Sequence, residues 1–168
     1  MKRFHFIAAL TVFMCTACNT SREPDPQLKF SLMCVKGEAG PIKTLLASSH
    51  EININAVNDK VGPCLSSAAY GGHVELVEFL LSDPRTDVNV LDQKGAPPLV
   101  HAVIGNQTEV VRILLNAGAD TNLIIPNDMG KMTDITVMKI AKIRGNPEII
   151  SMLENSPDAG RRNKSTGH

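Results

Sequence analysis

The sequence predicts an all-α solenoid of about four helix–turn–helix repeats joined by short β-turn fingers. Three observations lead there. The stretch from Leu65 to Leu81 is echoed from Leu99 to Leu115 at an offset of 34 residues, with Ala68 over Ala102, Glu75 over Glu109 and Leu80-Leu81 over Leu114-Leu115. Self-similarity at this period is the signature of stacked helical units. Within each copy the apolar residues fall at helical spacing: Val77, Leu80 and Leu81, then Val111, Leu114 and Leu115. Rings are scarce, with five Phe, one Tyr and no Trp in 168 residues. Thin helical layers filled by aliphatic side chains account for that scarcity.

The chain opens on an address. Lys2 and Arg3 precede an apolar run from Phe6 to Met14, which is too short to cross a bilayer as a helix. Small residues then lead to Cys18. The pattern resembles a bacterial lipoprotein signal. That resemblance implies that residues 1–17 are removed and Cys18 is lipidated; an ordinary secretory signal and an uncleaved anchor are the alternatives. Asn19 in the second mature position implies an outer-membrane destination facing the periplasm, by similarity to enterobacterial sorting. Residues 18–27, polar and containing Pro24 and Pro26, read as a flexible tether. Residues 155–168, with Arg161, Arg162 and Lys164, read as a flexible tail.

Between them lies one repeat domain, 28–154, divided at approximately 28–57, 58–90, 91–123 and 124–154. The first copy is degenerate, running from Phe30 to Leu46 and closing with Asn53-Ile-Asn55; the fourth runs from Met138 to Leu153. Asp87-Val-Asn89 recurs as Asp120-Thr-Asn122. Ala68, Ala69 and Ala102 are small where adjacent first helices stack. Gly71, Gly72, Gly105 and Gly145 mark the reversal between the helices, where positive φ is cheap. Asn106 and Asn146 are candidate caps for the second helix, and Pro147 suits its first position. No unit can bury its apolar stripe alone, so stacking makes one continuous core. One spacing is irregular: Leu99 to Met138 spans 39 residues. The excess lies in the finger from Leu123 to Ile135, which carries Ile124, Ile125, Pro126, Met129 and Met132. These residues either dock into a partner's cleft or fold back over the last repeat.

Charge and motifs exclude several functions. Lys and Arg number 17, as do Asp and Glu. After loss of residues 1–17 the balance is slightly acidic, with 11 basic against 14 acidic residues in 28–154. Nucleic acid is a poor partner for such a chain. Shape and local contacts, rather than bulk charge, are the expected basis of partner choice. No His-Glu-x-x-His, nucleophile-elbow or phosphate-loop motif is present, so no catalytic residue, metal ligand or cofactor is assigned and the chain reads as a non-enzyme. His73 and His101 read as structural hydrogen-bonders. Cys34 and Cys64 fall on successive first helices, but at different heights. With about 1.5 Å rise per residue and roughly 10 Å between axes they are expected to stay apart as two buried free thiols; a disulfide is the alternative if the register of the degenerate first repeat differs.

The segments from Asp92 to Leu99, from Gly72 to Glu75 and from Leu114 to Asn122 resemble the ankyrin repeat. The resemblance covers about residues 28–154 and implies an ankyrin-repeat solenoid whose finger tips and exposed first-helix positions bind a protein. Carried onto this sequence, those positions are Lys36, Asp59, Lys60, Tyr70, Gln93, Lys94, Ala96, Ile104 and Arg144. The long finger adds Ile124, Ile125, Pro126, Asn127, Asp128, Met129, Lys131 and Met132. The chain is further similar to small periplasmic ankyrin proteins, notably the self-protection proteins of predatory bacteria. That similarity implies a monomer when free, lipid-anchored in the bacterial periplasm, whose partner is a penicillin-binding-protein-type cell-wall endopeptidase. The alternative it leaves open is an envelope scaffold or accessory factor for another periplasmic protein, such as an oxidative-stress enzyme.

Overall fold

The computed structural model describes residues 25–49, 51–57, 61–125 and 135–156. Their helices pair as α1 (Pro26–Lys36) with α2 (Ala39–Ser48), α3 (Cys64–Gly71) with α4 (Val74–Ser82), α5 (Pro98–Ile104) with α6 (Thr108–Asn116), and α7 (Val137–Arg144) with α8 (Pro147–Glu154). The first helices pack in the order α1, α3, α5, α7, and the second helices in the order α2, α4, α6, α8. The result is an all-α repeat solenoid of two layers. Helices this short are marginal alone in water; their stability comes from the layer contact. Ala68, Ala69, Ala102 and Ala141 are fully buried there, and Val77, Leu80, Val111, Leu114, Ile149 and Leu153 fill the space between the layers. Leu81 and Leu115 are half-buried at its margin. Phe30 is the one fully buried ring among the described residues.

Helix ends follow local chemistry, with two departures from expectation. α1 starts at Pro26, inside the stretch read as a tether, because Asp25 accepts the N–H of Gln27 and Pro26 occupies the first turn. Asn146 caps α8 as expected, accepting from the N–H groups of Glu148 and Ile149. Asn106 does not cap α6. In that repeat Gly105 remains right-handed at φ −73, and Asn106 takes the left-handed position at φ 58, which Asn tolerates better than most side chains. Its side-chain oxygen accepts from Asn146 at 2.8 Å instead. Gly105 is still required. A Cβ there would lie 2.4 Å from the carbonyl oxygen of Tyr70 in the preceding repeat.

The expectation of two free thiols is overturned. Cys34 and Cys64 form a disulfide, with Cα atoms 5.2 Å apart, a separation such a bond accommodates. The expectation treated α1 and α3 as parallel rods with the two residues at different heights. In the structure α1 packs on α3 so that Cys34, near the end of one, lies beside Cys64, the first residue of the other.

The repeated Asp/Asn-x-Asn segments form a ladder along the stack. In each, the first side chain accepts the N–H two residues on: Asn53 from Asn55, Asp87 from Asn89, and Asp120 from Asn122. The second side chain then reaches the next repeat. Asn55 accepts from the N–H of Asp87 at 3.0 Å, and Asn89 from that of Asp120 at 2.9 Å. These loops carry no regular backbone ladder, and the side chains supply partners for groups that would otherwise lack them.

Candidate functional site

The exposed apolar side chains of the first helices lie on their C-terminal halves, next to the reversals. Each reversal holds its neighbour in register. His73 Nε2 lies 3.2 Å from the carbonyl of Val35, and Gln107 Nε2 donates to the carbonyl of Tyr70 at 3.3 Å. Val35, Tyr70, Ile104 and Ile143 therefore occupy equivalent positions in four successive repeats. Three of them are strongly exposed, at 51% for Val35, 55% for Tyr70 and 76% for Ile143; Ile104 is partly buried against the core. An apolar row thus crosses the whole stack. Exposed apolar side chains are ordinary singly, but a series of them at one repeated position is a candidate interaction surface.

Lys36 and Arg144 stand exposed immediately beside Val35 and Ile143. Sequence reading named these two cations and Tyr70 but missed Val35 and Ile143. The signal was available, because both occupy the place of Tyr70 in their own repeats. Leu32, 48% exposed one turn before Val35 on α1, extends the row.

The third finger is set by Asp92. Its Oδ1 accepts the N–H groups of Lys94 and Ala96, both at 2.8 Å. His101 Nε2 lies 2.9 Å from its Oδ2; an ionised carboxylate only accepts, so that ring nitrogen carries the proton. Burial pushes the Asp92 carboxyl up, but the bonds from Ala96, His101 and Lys94 together outweigh it and hold the group below its ordinary value. Gln93 and Lys94 are left exposed at the tip. Ala96 is not: it is buried, and both its backbone groups are bonded to Asp92. Its exposure was wrongly expected, since it forms the corner where the finger re-enters the core.

The long finger rises from a two-stranded antiparallel pair, β1 (Ile124–Ile125) and β2 (Ile135–Thr136), with Ile124 opposite Thr136 and Ile125 opposite Ile135. Ile125 packs partly on the core. Pro126, Asn127, Asp128, Met129, Lys131 and Met132 lie outside the described residues, as do Asp59, Lys60 and Cys18. Among the described residues no group of three His, Cys, Asp or Glu is arranged to hold a metal ion, and no helix is long and apolar enough to cross a membrane.

The family model for ankyrin repeats matches residues 30–125, in three copies. The chain belongs to the ankyrin-repeat family. The match ends at Ile125, and the ankyrin stack is completed by α7 and α8, which pack on α5 and α6 as a fourth unit. A search of curated proteins finds no match to the chain. Ankyrin repeats are protein–protein interaction modules, generally without catalytic activity, and nothing in the match points to catalysis.

Proposed function

We propose that this ankyrin protein is a self-protection factor of a bacterial envelope, which binds a secreted peptidoglycan D,D-endopeptidase of the penicillin-binding-protein type and blocks its cleft. The observation that carries the reading is the apolar series from Val35 to Ile143, one equivalent position in each of four repeats, three of them strongly exposed. Such a surface suits capping another protein better than enclosing a small molecule. The choice of envelope draws support from the lipoprotein-like start and from the Cys34–Cys64 bond, since structural disulfides persist in oxidising compartments. A lipid at Cys18 would hold the inhibitor at the membrane and raise its local concentration. The choice of target rests on resemblance to the self-protection proteins of predatory bacteria.

The test is direct. The chain from residue 18, with Cys18→Ser, is titrated against purified wall endopeptidases from the same genome. Inhibition near one-to-one is expected, weakened at least tenfold by Ile143→Glu. Deleting the gene is expected to damage the producer's wall only while the endopeptidase is expressed. Full hydrolase activity at stoichiometric excess, together with an intact wall in the deletion strain, would overturn the proposal.

A further inference from the structure

The geometry points to a partner that is acidic at both ends of its contact and apolar between them. The inference deepens the reading above and rests on the occupant being a protein. The four first helices carry Lys29, Lys36, Lys139, Lys142 and Arg144, and not one Asp or Glu. The second helices carry the reverse excess: Glu75, Glu78, Glu109, Glu148 and Glu154 against Lys43 and Arg112. Near-neutral total charge therefore conceals a basic first-helix layer backed by an acidic one. Lys43 and Arg112 are paired with Glu75 and Glu109. The first-helix cations are all exposed, and among the described residues only Lys36 has an ion-pair partner, Glu38 at a loose 3.8 Å.

Helix dipoles do not account for this. They favour cations in a last turn, as with Lys36, Lys142 and Arg144, and disfavour them in a first turn, where Lys29 and Lys139 sit. The cations also lie only in the outer repeats. α3 and α5 have no Lys or Arg, and Tyr70 and Ile104 stand between. With three interhelical steps of roughly 8–10 Å, the two basic ends are about 25–30 Å apart. A nucleic acid or an anionic bilayer presents negative charge continuously and would be met by a basic track along the whole face. Two basic ends joined by an apolar row match a discrete protein segment instead, such as an amphipathic helix of about 20 residues, which spans about 30 Å. Complementary charge would steer the encounter, and burial of the apolar row would hold it.

The test uses the mature chain with four probes: the endopeptidase, a synthetic 20-residue amphipathic helix with Glu at both ends and Leu and Phe between, its Lys-for-Glu counterpart, and anionic controls. The controls are a single-stranded DNA oligomer and phosphatidylglycerol vesicles. The acidic peptide is expected to bind at least tenfold better than the Lys peptide, shifting the amide resonances of Val35, Tyr70 and Ile143. The pairs Lys29→Glu with Lys36→Glu, and Lys142→Glu with Arg144→Glu, are each expected to weaken it tenfold. Glu78→Lys on the opposite layer should change binding less than twofold, and circular dichroism verifies that each variant folds. Absence of the acidic preference, indifference to both paired reversals, or tighter binding to the oligomer or vesicles would overturn the inference. If the endopeptidase binds but ignores the reversals, the inference falls and the proposed target stands. If the acidic preference holds while the endopeptidase fails to bind, the target falls and the inference stands.

Discussion

The side-chain oxygen of Asn89 accepts the backbone N–H of Asp120 at 2.9 Å, across the boundary between two repeats. Removing it leaves a part-buried donor without its partner, at a cost of about 1–3 kcal/mol. Asn89→Ala is expected to lower the urea midpoint accordingly. Asn55→Ala breaks the equivalent bond and also the one its Nδ2 donates to the carbonyl of Arg85, and should lower the midpoint as well. Equal midpoints for Asn89→Ala and the parent would show that the ladder contributes nothing.

The Cys34–Cys64 bond closes a loop with a sequence separation of 30. By chain entropy that constraint stabilises the folded chain by about 3–4 kcal/mol. Reduction, or Cys34→Ser with Cys64→Ser, should lower unfolding free energy by that order. Denaturant curves with and without a reductant measure it, and coincident curves would contradict the prediction.

Two glycines should respond unequally to alanine. At Gly105 the new methyl meets the backbone of Tyr70, so the reversal must shift, at a cost of roughly 1–3 kcal/mol. At Gly40, in the first turn of α2, a Cβ meets nothing within 4 Å beyond its chain neighbours; the gain in helix propensity is offset by Pro41, which disfavours helical backbone in a preceding residue with a Cβ. Gly40→Ala should therefore change stability by less than about 1 kcal/mol. Thermal melts of the two variants check the difference.

Asp92 ties stability to acid pH. Its folded-state value lies below its ordinary one, so the unfolded chain takes the proton first. The contribution is full above the unfolded value of about 3.9 and fades as pH falls through the lower folded value. Asp92→Asn keeps an acceptor for Lys94 and Ala96 but abolishes this titration. The variant should lose stability at neutral pH and show a flatter decline below about pH 4. An acid limb of unchanged steepness would remove Asp92 from the account.

Much of this was legible in the chain because the repeat itself is legible. The offset between Leu65 and Leu99 implied the stack, and the helical stripe of Val77, Leu80, Val111 and Leu114 named the core. The Asp-x-Asn recurrence was visible, although its meaning, a ladder between repeats, needed distances. Misreadings fell where local sequence permits two geometries. Asp25-Pro26 serves equally as a linker or as a helix start. Gly105-Asn106 offers two residues able to take positive φ, and Asn106 takes it. Cys34 and Cys64 lie near opposite ends of α1 and α3, and how one helix lies on the other decides whether those ends meet, which spacing does not. The apolar row escaped notice because exposure at Val35 and Ile143 is a property of the stack, while either residue alone resembles any core aliphatic.

The disulfide also makes the stack asymmetric. It staples the first repeat to the second, whereas the last repeat is held to its neighbour by packing and by bonds such as Asn146 to Asn106. In a linear array each terminal unit has one neighbour and frays first. Here one terminus is covalently denied that freedom. Opening should therefore be vectorial, with α7 and α8 releasing ahead of α1 and α2. A protease would then find its first foothold at the C-terminal end, in α7 and α8, and a partner seated on the exposed Ile143 and Arg144 would shield the chain where it is most open to attack.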